Sequence, residues 1–217
     1  MFDYSEFFDF NDKKLIQEEL DCVANQNLDL FEDSIKETID RFEKKYNDYC
    51  TKENKINEEI LICNNIDVQK VPEKIDENNQ LKKELYEKRA MYSFERYRIK
   101  LQLKSMSEML IINAFKNIEI NIKTLIKIGY PKVNSREFYK WELLVQFFKS
   151  VKIDLKSIQG YSELFNIKNI NNSLKHTGIP TDEIKKIQEF TGQIEYDFVN
   201  LINFYDRVKS EIPVFFN

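Results

Sequence analysis

Residues 81–131 read LKKELYEKRAMYSFERYRIKLQLKSMSEMLIINAFKNIEINIKTLIKIGYP, and this stretch decides the fold. Leu85, Tyr92, Ile99 and Met106 recur at heptad spacing, and Leu103, Leu110, Ile118, Ile122 and Leu125 extend one apolar face by further helical turns. The run predicts a single long helix from near Leu81. It stops at Gly129-Tyr130-Pro131, where a glycine suits a C-cap and a proline bars continuation.

Upstream, Phe31, Ile35, Ile39, Phe42, Tyr46, Tyr49, Ile56 and Ile60 predict a second long amphipathic helix beginning near Asn27. A shorter helix from Lys13 precedes it. Asn64-Asn65, Pro72 and Asn78-Asn79 break the pattern, so Cys63 to Asn79 reads as a loop and the two long helices as an antiparallel hairpin with a heptad seam.

Downstream, Ser135 is the expected N-cap of a helix carrying Phe138, Trp141, Leu144, Val145, Phe148, Val151, Leu155 and Ile158 to a stop at Gly160. A shorter helix from about Ser162 to Lys175 closes at Gly178, with basic residues where the helix dipole favours them. Pro180 and Thr181 open a last helix whose inner face holds Ile184, Ile187, Ile194, Phe198, Leu201, Tyr205 and Val208. With 4 Gly and 4 Pro in 217 residues, a sheet protein that turns every ten residues or so is excluded. The expected fold is all-α: an N-terminal long helical hairpin with its leader (residues 1–90) and a helical bundle (91–217).

The net charge of −4 conceals an asymmetry: residues 1–50 carry 6 basic and 14 acidic side chains, residues 81–160 carry 17 basic and 8 acidic. A basic middle attracts phosphates, or docks onto the acidic part of its own chain. The leader sets Phe2, Tyr4, Phe7, Phe8 and Phe10 among Asp3, Glu6, Asp9 and Asp12. It reads either as a docking segment for a protein partner or as a strap on its own bundle, and the apolar tail Ile212 to Phe216 allows the same two readings. No basic n-region, apolar h-region or run of about 20 apolar residues is present, so the expected location is cytoplasmic, with no membrane partner. Cys22, Cys50 and Cys63 form no Cys-x-x-Cys pair and are expected to be reduced.

One histidine and no clustered cysteines leave little means to build a zinc or copper site, and 4 glycines cannot assemble a phosphate loop or a dinucleotide fingerprint. No metal and no cofactor are expected. The remaining stretch of chemical interest is Asn171-Asn172-Ser173-Leu174-Lys175-His176, at the end of the shorter helix.

This stretch resembles the HEPN family, whose members carry Arg-Asn-x-x-Lys-His or a near variant at a helix end. Asn171 stands at the family's Arg position, Asn172, Lys175 and His176 match, and Phe115 to Lys123, with Glu119, looks like the family's earlier helix. The likeness spans roughly residues 91–212. It implies a helical bundle that pairs as a homodimer and cleaves RNA without metal. In that chemistry a His, with an ordinary pKa of about 6.5, moves the 2′-hydroxyl proton while an Arg neutralises charge on the phosphoryl oxygens. Asn171 is neutral, and losing one such stabiliser costs on the order of 10²–10³ in rate.

Lys168 and Lys175 are candidate replacements, although Lys175 lies about 100° around the helix from His176 and Lys168 two turns below it. The resemblance therefore implies a degenerate site that binds RNA or a protein partner, in a bacterial toxin-antitoxin or antiviral defence setting. Its expected catalytic positions are His176, Asn171 and Glu119, and its expected RNA-binding positions Asn172, Lys175 and Lys168. An active metal-independent endoribonuclease using His176 and a purely structural helical scaffold are the alternatives.

Overall fold

The structure, a computed structural model, describes residues 29–65, 75–134, 137, 138 and 140–216. The acidic aromatic leader, the short helix expected from Lys13, the loop residue Pro72 and the expected cap Ser135 lie outside them. Among the described residues the chain is all-α, with no strand. It divides into two compact units, one of Ser34–Met106 and one built around Ser107–Asn217 with the first residues of the first helix.

The first unit is an antiparallel pair made by most of α1 (Asp29–Asn64) and the first half of α2 (Ile75–Gly129). Its direction is fixed at two points: Asn78 Nδ2 donates to the Cys63 carbonyl at 3.4 Å, and further along Tyr49 packs on Tyr92 with ring centroids 5.9 Å apart. Numbers rise along one helix as they fall along the other. Ile56, Ile60, Cys63 and Leu85 form its buried apolar cluster, with Tyr92 against it, and Arg96 reaches Glu53 at 3.1 Å. The expected loop from Cys63 to Asn79 is shorter than the sequence suggested. α1 runs to Asn64 and α2 already begins at Ile75, because Asp76 and Glu77 suit a helix N-terminus and Asn78 is buried in helical conformation.

In the second unit, the rear half of α2 buries Leu110, Ile111, Ala114, Ile118, Ile122 and Ile126. α3 (Trp141–Ser150), α4 (Tyr161–His176), α5 (Phe198–Val208) and α6 (Glu211–Phe216) complete it, with 3₁₀ turns at Leu155–Ser157, Ile184–Lys186 and Gln188–Phe190. Each fully buried Leu, Ile or Phe stabilises by about 1.5–3 kcal/mol, which is the term that closes the unit. Arg207 of α5 ties the pieces together, reaching Glu163 of α4 at 3.0 Å and Glu189 of a 3₁₀ turn at 2.6 Å.

Two expected helices are corrected. The one foreseen from Ser135 to Gly160 is the ten-residue α3. Phe138 lies outside it, and it ends where Ile153 N–H reaches back to Phe148 O and Lys152 turns to φ 65°. Asp154 then caps the next 3₁₀ turn through Lys156 N–H, which carries buried Leu155. The helix foreseen from Pro180 to Val208 is two 3₁₀ turns, a break at Gly192 (φ 74°) and only then α5, so Ile194 is 83% exposed instead of facing inward. The closing tail is itself a short helix with Ile212 and Phe215 buried.

Gly160, the residue before α4, has φ 83°, and a methyl there would meet Glu211 O at 2.7 Å and Phe215 Cβ at 3.2 Å; Gly178, at φ 69°, has nothing within 4 Å. Gly160→Ala combines left-handed strain with a clash against α6 and is expected to cost about 2–4 kcal/mol. Gly178→Ala carries the strain alone, about 1 kcal/mol. Urea denaturation of the two variants checks the contrast, and equal midpoints would contradict this packing of α4 against α6.

Candidate functional site

α4 is divided lengthwise. Leu164, Ile167 and Ile170 are fully buried, while Lys168, Asn171, Asn172, Lys175 and His176, spaced i, i+3, i+4, i+7 and i+8, line one cleft of about 390 Å³. Glu119 lines the same cleft from α2, and Trp141, Glu142 and Leu144 from α3, so the fold brings all six expected site residues together. The two lysines that helical angles alone made poor substitutes for an Arg both reach this cleft.

The C-terminal end of α4 is held by hydroxyl groups. Tyr196 donates to Ser173 Oγ at 2.9 Å, Ser173 Oγ donates to Ile179 O at 2.5 Å, and Thr177 Oγ1 donates to Ser173 O at 3.1 Å. The amides of Thr177 and Gly178 both return to Ser173 O, at 2.9 and 2.8 Å. Ser173, inside the motif, is thus the anchor that sets where His176 emerges. His176 itself is exposed, as are Asn172 and Lys175.

Asn171 is only 1% exposed; its Nδ2 donates to Asn172 Oδ1 at 3.2 Å. Glu119 is engaged by Lys123 at 2.6 Å one turn along α2. Lys168 is half-buried with its ammonium 4.7 Å from the Phe165 ring centre and 5.9 Å from that of Trp141. Burial lowers its pKa below the usual lysine value, opposed by the negative charge of Glu142. Trp141 is flanked by Phe115 and Tyr161, each 6.4 Å away, and Tyr161 stacks on Phe165 at 6.0 Å. The cleft therefore offers aromatic surface, cations at two depths and an exposed imidazole.

Sequence reading missed Phe115, Lys140, Trp141 and Glu142 as cleft residues. Lys140, Trp141 and Glu142 stand at the start of α3, while Phe115 lies within α2 and was read only as the first residue of the stretch resembling the family's earlier helix; what gathers them is tertiary. No cluster of His, Cys, Asp and Glu fit for a metal occurs among the described residues, and no helix there is long and apolar enough to cross a membrane. Compared with family models, curated proteins and solved structures, the chain matches none.

Burial also pushes the Tyr196 phenol above its ordinary value of 10.0, with a smaller opposing effect from its bond to Ser173. A raised folded pKa means the folded state holds more protons between the two values. Its stabilising contribution is complete below about pH 10 and is lost as pH rises through the folded pKa. Tyr196→Phe should cost about 1 kcal/mol at pH 7 and should flatten the loss of stability above pH 10, read from urea denaturation at pH 7 to 11.

Proposed function

We propose that this chain is a HEPN-like helical protein whose degenerate motif binds RNA in the cleft of α4. The observation that carries the reading is the meeting of Lys168, Asn171, Asn172, Lys175 and His176 with Glu119 and an aromatic wall in one concave site. Two lysines suit phosphate, partly exposed aromatic rings suit unstacked bases, and single-stranded RNA offers both phosphates and bases. Binding is favoured over cleavage because Asn171 supplies no charge where the family motif has an Arg. The reading includes a two-fold homodimer that brings His176 toward its copy, and a bacterial defence or toxin-antitoxin setting.

Lys168 separates a ligand-binding lysine from a structural one. Its lowered pKa reports a desolvated charge that opposes folding at neutral pH and is relieved as pH rises through the folded pKa. Lys168→Met is therefore expected to leave the melting temperature unchanged or raised, while weakening affinity for a single-stranded RNA and reducing the slope of log K against log salt by about 0.7. His176→Ala should weaken binding without touching stability. Fluorescence anisotropy across a salt series reads both, and wild-type affinity in both variants would sink the reading. In EDTA the wild type is expected to cleave RNA no faster than His176→Ala, and light scattering should return twice the chain mass.

A further inference from the structure

Apart from Glu53 Oε2, which Arg96 Nε meets as an ion pair at 3.1 Å, three side-chain polar atoms among the described residues are buried without a hydrogen-bond partner: Asn78 Oδ1 in the hairpin, and Trp141 Nε1 and Asn171 Oδ1 in the second unit. The last two belong to residues that line the same cleft. One is a donor and the other an acceptor. Asn171 Nδ2 is the end of the amide that donates to Asn172, which leaves the carbonyl oxygen over. An unmatched buried polar atom is expensive, and two of opposite kind beside one cleft ask for a ligand with a complementary pair.

We infer that the cleft takes the hydrogen-bonding edge of a nucleobase, adenine above all. This rests on the nucleotide-binding reading of the same site. Adenine sets an amino donor beside a ring-nitrogen acceptor on both its Watson–Crick and its Hoogsteen edge, the pattern that Asn Oδ1 and an indole N–H answer. Cytosine offers that amino and ring-nitrogen pair on one edge only, and guanine and uracil answer with a ring N–H beside a carbonyl oxygen on their Watson–Crick edges, so adenine alone presents it on both edges. The surroundings suit a base: Trp141 lies between Phe115 and Tyr161, and the Lys168 ammonium stands 5.9 Å from the Trp141 ring centre, within reach of the phosphate of a nucleotide seated there. Asn171, 99% buried by its 1% exposure, is too deep to meet a phosphate that remains in water. Its place at the family's Arg position thus trades charge for base recognition.

The test uses the full chain and anisotropy with labelled oligomers of adenosine, of uridine and of purine riboside, the last being adenosine without its amino group, and with free AMP as competitor. The adenosine oligomer is expected to bind about tenfold tighter than the purine oligomer, since a site built around an N–H rejects the analogue that lacks it. Asn171→Leu should close that gap while keeping the residual affinity of the lysines. Trp141→Phe, which retains a ring, should lower adenosine affinity by a similar factor. Equal binding of adenosine and purine oligomers by the wild type overturns the base reading and leaves RNA binding standing. A gap that survives in a folded Asn171→Leu overturns it too. Binding of AMP with no binding of any oligomer supports the base reading and removes RNA as the source, whereas no binding of any probe removes both.

Discussion

The two-sidedness of α4 is the constraint on which the second unit depends. Leu164, Ile167 and Ile170 are committed to the interior, which fixes the rotation of the helix and leaves Lys168, Lys175 and His176 no choice of face. Its ends are fixed as firmly. Gly160 admits α6 at a distance no side chain would allow, and Ser173 receives Tyr196 while giving its own proton to Ile179. A helix pinned at both ends and along one side holds its other side in a defined geometry, the condition for any site made of side chains from several elements.

Energetically the cleft runs against the rest of the unit. Elsewhere in it, no described side chain keeps a buried polar atom without a hydrogen-bond partner. Here a half-buried ammonium lies between rings, and a buried amide keeps an unmatched oxygen. Cation–π contact recovers only part of the hydration that Lys168 loses, which is why burial still moves its pKa down. Local departures of this kind concentrate where stability is exchanged for binding, and the proposed function draws on them.

The long elements were legible because they repeat one instruction many times. Leu85, Ile99, Leu103, Ile118 and Ile122 are all buried as their spacing requires, and α4 ends at His176, beside the glycine that suggested a stop. The short elements were not. Lys152 adopts a left-handed conformation usually left to glycine, and Ile194 keeps the helical spacing of its neighbours yet stands in solvent because the chain there makes 3₁₀ turns and a break at Gly192 instead of a helix. In both places tertiary closure overrode a local pattern. The cleft was half legible: a stripe on one helix can be read from numbers, but Trp141 and Phe115 meet only through folding.

The same burial explains why a neutral side chain suits residue 171. A guanidinium at residue 171 would sit where exposure is 1%, and holding a charge there requires a carboxylate close by. The cleft has Glu119, which Lys123 already holds at 2.6 Å, and Glu142, whose field acts on Lys168. A neutral amide avoids that cost altogether, and positive charge in the cleft stands on Lys168 and Lys175, which stay in contact with water. These two lysines line the cleft, while the buried Asn171 carries no charge. Depth then becomes the region where hydrogen-bond pattern, and not charge, decides what fits.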